Sequence, residues 1–195
     1  MFRSLKHIYE KLFEVLDDEF GPEAETSLLK TFQRGFFFQK SPRPAEYPLG
    51  FMEWGRVSKV EVYQAPEEYQ YVVAYRLFYF MQTGGNPTQL EGQVFRPDED
   101  TDKQLGIGDF AERVCNFFWT THHTSRFSVA WDRPDNTDPD VEWSILELTM
   151  DASIITFTTV TDVTLLSIRQ FLEDNPDFRG IQINFSFRVR EREVF

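Results

Sequence analysis

Apolar side chains at Phe2, Leu5, Ile8, Tyr9, Leu12, Phe13 and Leu16 recur at steps of three and four residues, with Lys6, Glu10, Lys11, Glu14 and Asp18 between them. That spacing predicts an amphipathic helix over residues 2–20, stopped by Gly21-Pro22. The stretch Leu28 to Gln39 can form a short second helix that runs into Gly35-Phe36-Phe37-Phe38. Three consecutive phenylalanines cannot share one helix face, so Phe36, Phe37 and Phe38 are expected in a strand, a buried turn or a docking element. Ser41-Pro42-Arg43-Pro44 then imposes an extended connector, because each proline moves its predecessor out of the helical region.

From Val57 the period becomes two. Val60 and Val62 alternate with Lys59 and Glu61, Ala65-Pro66-Glu67-Glu68 turns, and Tyr69 to Met81 makes a long strand. One face of that strand holds Tyr69, Tyr71, Val73, Tyr75, Leu77, Tyr79 and Met81, and the other Val72, Ala74, Arg76, Phe78 and Phe80. A strand apolar on both sides is expected at the centre of a sheet, with helices on at least one face. Gly84-Gly85-Asn86-Pro87 is a loop, and Leu90 to Phe95 a short strand.

Asp109 and Glu112 stand at capping-box spacing at the start of a second clear helix, with Phe110, Val114, Phe117 and Phe118 as its buried stripe and its end near Thr121. Phe127, Val129 and Trp131 alternate beyond it, Asp132 to Asp140 is an acidic loop, and strands are expected over Val141 to Met150 and Ser153 to Val160, joined through Asp151. Thr161 or Asp162 caps a third helix that runs to Asp174 before Asn175-Pro176. The final strand has the cleanest alternation: Ile181, Ile183, Phe185, Phe187 and Val189 against Gln182, Asn184, Ser186, Arg188 and Arg190. Runs of strands without regular β-α-β alternation predict an α+β fold, a mostly antiparallel sheet packed against an N-terminal and a central helix. The 195 residues suit one domain, 1–195.

Charge changes this picture more than length does. Asp plus Glu number 32 against 20 Lys plus Arg, a formal net charge of −12. Such a surface repels phosphates and argues against duplex-DNA binding by a whole face. The N-terminal segment, with Lys6, His7 and Glu10, lacks the apolar stretch of a signal peptide, and Val72 to Met81, cut by Arg76, falls short of the ~20 residues of a membrane span. A soluble protein folding in a reducing cytoplasm is expected. The 21 Phe, 7 Tyr and 4 Trp exceed what most chains of this size carry, so either the core is Phe-rich or some rings sit at subunit contacts.

Residues in chemistry-bearing patterns are sparse. His122-His123 are adjacent and point apart, whereas chelation on a helix needs spacing of three or four. Asp98, Asp100 and Asp102, with Asp109 at position 12, imitate a calcium loop, but Lys103 replaces the required glycine and no helix precedes it. Asp135 to Asp140 has no better spacing. Cys115, the single cysteine, lies in an apolar helical stretch, and Gly106-Ile107-Gly108 lacks the third glycine of a dinucleotide site. No catalytic, metal or cofactor-binding residues are assigned. Arg188, Arg190 and Arg192 fall on one face of the last strand, either as a solvated basic edge that discourages strand pairing or as a contact with an acidic partner face.

The leading amphipathic helix, the Pro-rich connector before Tyr47-Pro48-Leu49-Gly50-Phe51, the hairpin Val57 to Met81, the helix after an acidic loop (Asp109 to Thr121) and the closing strand Ile181 to Arg192 together resemble the tail terminator, or tail completion, proteins of tailed bacteriophages. The resemblance is one of element order over most of the chain, with Asp132 to Asp177 as an insertion relative to compact members. It implies a non-enzymatic virion subunit in the tail or neck, assembled in the host cytoplasm. It also implies a homo-oligomeric, hexameric ring that caps the tail tube protein and joins it to the head-tail connector protein, with DNA passing through the lumen unread. On that reading Arg188, Arg190, Arg192, Asp98, Asp100, Asp102, Phe36, Phe37 and Phe38 are candidates for the subunit interface. The alternatives are another phage neck or tail-tube subunit, or a small non-enzymatic binding module.

Overall fold

A computed structural model of the chain describes residues 4–25, 27–35, 48–62, 68–82, 106–121, 141–154 and 178–193. Helix α1 spans Ser4–Phe20, followed by strands β1 (Thr31–Arg34), β2 (Leu49–Val62) and β3 (Glu68–Gln82). Helix α2 spans Ile107–Thr121, and strands β4 (Val141–Ile154) and β5 (Phe178–Glu193) complete the described elements. They form a mixed five-stranded sheet in the order β1-β2-β3-β5-β4. Three pairings are antiparallel and only β1 with β2 is parallel, so the architecture is α+β as the element pattern predicts.

The core follows from the two periodicities. On α1, Ile8, Leu12, Leu16 and Phe20 are buried one above another, as side chains four apart must be. They meet the odd-numbered face of β3 (Tyr71, Val73, Tyr75, Leu77, Tyr79) and of β5 (Ile181, Ile183, Phe185, Phe187, Val189), all buried. Helix α2 packs on the same face: the Phe110 ring stacks on Tyr79 at 4.0 Å, Phe118 meets Phe185 edge-on at 5.0 Å, and Phe20 of α1 touches Phe110 at 5.9 Å. Both helices therefore cover one side of the sheet. On the other side, near one end of β2 and β3, Phe51 stacks on Phe78 (4.8 Å) and Phe80 (5.6 Å), all three fully buried.

Several expectations shift. The stretch expected as a second helix from Leu28 holds β1 instead. Lys30 N donates to Pro48 O at 2.7 Å and Leu29 N to Phe20 O at 2.9 Å, so partners distant in sequence capture this backbone. Leu29 seats directly over Gly50, where an added Cβ would stand 2.7 Å from its methyl carbon. Gly35, at φ 74°, ends the strand in a conformation that favours glycine. Strand β2 starts at Leu49, eight residues before the alternation shows it, because a bulge between Trp54 and Arg56 resets the phase. Strand β4 runs through Asp151 to Ile154 without a joint, with its own bulge between Ile145 and Glu147. Helix α2 begins one half-turn early: Asp109 is its third residue, and its Oδ2 accepts from Gly106 N at 3.0 Å. Gly106 thus holds the cap position that Asp109 was expected to fill.

The strands expected at Leu90 to Phe95, Phe127 to Trp131 and 155–160, and the helix from Thr161 or Asp162, lie outside the described residues. No described helix is long and apolar enough to cross a membrane.

Candidate functional site

Strand β5 carries the basic row, and the sheet order places it between β3 and β4. It is paired on both sides, so the reading of Arg188, Arg190 and Arg192 as a solvated sheet edge is corrected. The three arginines stand on the face away from the helices, where the even positions of β5 lie. Arg190 and Arg192 are exposed, while Arg188 is half-buried.

Arg188 is held in place. Its Nε and Nη2 donate to Oε1 of Gln70 on β3 at 3.3 and 2.9 Å, and Gln70 is 7% exposed. Gln70 is directly opposite Arg190, so this bond runs diagonally across the strand pair. Acidic residues border the row: Glu147 of β4 stands opposite Arg188, and Glu68 of β3 opposite Arg192. Farther along, Asp151 of β4, Asn184 of β5, Arg76 of β3 and Glu53 of β2 make one transverse polar rung. Within it Asn184 Nδ2 donates to Asp151 Oδ2 at 2.7 Å and Gln182 Nε2 donates to Asn184 Oδ1 at 2.6 Å. Val72, Ala74, Arg76, Asn184, Ser186 and Arg188 are all half-buried, the accessibility of an open sheet face whose neighbours shade one another.

A second feature lies at the opposite edge. Where β1 ends, a cleft of about 560 Å³ opens between α1 and β2, lined by Leu5, Lys6 and Tyr9 and by Met52, Glu53 and Trp54. Trp54 is 59% exposed at this cleft. Tyr9 OH donates to Met52 O at 3.0 Å, a carbonyl that also accepts from Gly35 N at 2.8 Å. Burial raises the Tyr9 phenol above its ordinary value, with Arg34 opposing and Glu53 adding to the shift. The phenol stays neutral and can keep donating to that carbonyl.

A buried polar cluster ties α1 to the sheet. Glu191 Oε2 accepts from Ser4 Oγ at 3.0 Å and from Tyr71 OH at 3.1 Å, and the two hydroxyls are in hydrogen-bond contact with each other. Ser4, Tyr71 and Glu191 are each no more than 4% exposed. Burial drives the Tyr71 phenol far above its usual value; the Ser4 bond opposes this and the Glu191 charge adds to it. A serine beside a carboxylate suggests a nucleophile, but no substrate reaches a hydroxyl enclosed between helix and sheet. The cluster acts as a latch. Its signature was present in the alternation, since Glu191 occupies the apolar phase of Ile181 to Val189.

Of the other sequence candidates, Cys115 is half-buried, and burial followed by the Asp151 charge raises its thiol above the ordinary value. Phe36, Phe37, Phe38, Asp98, Asp100, Asp102, His122 and His123 lie outside the described residues. Among the described residues no three His, Cys, Asp or Glu side chains gather as a metal site. The chain matches no protein-family model and no curated protein.

Proposed function

We propose that this chain is a structural virion subunit, a tail terminator whose copies close into a hexameric ring. The ring caps the tail tube and joins it to the head-tail connector. The observation that carries the reading is the one-sided packing of the helices: both cover the odd face of the sheet, while on the even face of β5 Arg190 and Arg192 stand exposed, apart from the end where Phe51, Phe78 and Phe80 are buried. The element order of the resemblance is kept along the described chain: leading helix, hairpin β2–β3, helix α2 and long closing strand β5.

On this reading the exposed Arg190 and Arg192, with Arg188 behind them, meet an acidic segment of the next subunit, for which Asp98, Asp100 and Asp102 are the candidates. A basic row on a chain of net charge −12 orients identical acidic subunits that would otherwise repel one another. A head-to-tail contact of this kind closes into a ring when its rotation permits. The overall negative charge suits a lumen through which DNA slides without being gripped.

The cleft beside Trp54 favours a second reading, a non-enzymatic binding module that takes an apolar partner group there. Electron microscopy of the purified chain, alone and mixed with tail tubes, separates the two. Rings seated on tube ends support the terminator reading. Single globular particles in both samples contradict it.

A further inference from the structure

We propose that the open face of β5 is a docking track for one extended acidic strand, read by the two-residue spacing of its carboxylates, and that a second copy of this chain supplies it. The inference deepens the subunit-contact reading and rests on it for the source of the strand.

The spacing comes from strand geometry. Arg188, Arg190 and Arg192 repeat every second residue, about 6.6–6.8 Å apart along an extended strand. A partner segment in the same conformation offers carboxylates at the same interval when its acids also fall at every second residue. Asp98, Asp100 and Asp102 have that spacing in this chain. A helical acidic segment does not match, because its same-side carboxylates fall three or four residues apart, about 5–6 Å between Cβ atoms.

The track is also prepared. Gln70, buried, fixes the Arg188 guanidinium by two hydrogen bonds from one side, so less side-chain freedom is lost when a carboxylate arrives. Arg190 and Arg192, both exposed, form no ion pair among the described residues. The track is one strand wide. Glu147 and Glu68 stand on the neighbouring strands, about 4.8 Å to either side. Both carboxylates lie within a Debye length of about 8 Å of anything docked on the row, so they oppose every anion there and weigh most on a broad polyanion such as duplex DNA, which meets both at once.

The test uses the full chain and a fluorescent peptide of residues 97–102, Pro-Asp-Glu-Asp-Thr-Asp, followed by anisotropy. Binding that weakens about tenfold or more in Arg190→Gln/Arg192→Gln, and in a peptide carrying Asn at the positions of Asp98, Asp100 and Asp102, is the expected result. A Glu99→Gln peptide should bind like the parent, because that carboxylate points to the other side of an extended strand. Equal binding to the Asn peptide, equal binding to the arginine variant, or preference for a DNA duplex overturns the track. Both arginines are exposed, so their replacement leaves the fold intact, and circular dichroism of the variant checks this. Particle mass is read separately. Peptide binding by a chain that never forms rings keeps the track and removes the terminator reading, and rings that ignore the peptide do the reverse.

Discussion

Arg188 and Gln70, 118 residues apart in sequence, are joined by two hydrogen bonds from one guanidinium to one buried amide oxygen. The bond costs Gln70 little, since its oxygen is satisfied, and gives the half-buried arginine a set direction. Replacing Gln70 with Leu removes the acceptor while keeping the side chain's bulk, and is expected to cost about 1–2 kcal/mol in urea denaturation. A variant as stable as the parent means that water replaces the amide without penalty and that Arg188 is not held.

The aromatic packing of α2 separates two adjacent rings. Phe118 is 1% exposed against Phe185, whereas Phe117 is half-buried and meets Phe20 edge-on at 5.5 Å. Phe118→Ala should therefore cost about 3–5 kcal/mol and Phe117→Ala roughly half as much. Equal losses in calorimetry contradict this ordering.

The latch gives a third expectation. Ser4→Ala takes one donor from the buried Glu191 carboxylate, leaving Tyr71 to hold it. A loss of about 1–3 kcal/mol is expected. Faster amide exchange should be confined to the first turns of α1, because Ser4 is that helix's first residue. Uniform exchange across the sheet speaks against a local latch.

Burial raises the phenols of Tyr71 and Tyr75 far above 10, and the charges around them add to the shift. Below pH ~10 both the folded and the unfolded chain keep these protons, and the groups contribute no pH dependence. Above it the unfolded chain releases protons that the folded chain retains, so stability falls by up to about 1.4 kcal/mol per pH unit for each tyrosine. Denaturation midpoints should drop steeply above pH 10, with a shallower slope in Tyr75→Phe. A flat profile to pH 12 contradicts the burial of these hydroxyls' ionised forms.

What was legible in the chain follows from how local each signal is. Helix α1, β3 and β5 carry their own periods of 3.6 and 2 and stand within a few residues of where the pattern puts them. Strand β1 has no such signature: four residues pair with β2 in parallel, and that partner defines them. Register shifts at Trp54/Arg56 and Lys59/Glu61 in β2 and at Ile145/Glu147 in β4 interrupt the alternation, and the first of them hides the start of β2. At the candidate site, the basic row was visible as a row of arginines. Its inner position and the grip of Gln70 were not, because both depend on β3 pairing with a strand about a hundred residues or more away in sequence. Glu191 stood out of phase in plain view, but only the arrival of Ser4 and Tyr71 explains a charge there.

Particle mass against concentration is the most direct test of the ring. For the purified chain, with and without tail tubes, the account predicts one discrete closed assembly of several subunits, and its loss in Arg190→Glu/Arg192→Glu while the monomer keeps its melting temperature. A chain that stays monomeric at every concentration and on tail tubes contradicts the ring, and a ring indifferent to the two reversals contradicts the role given to β5.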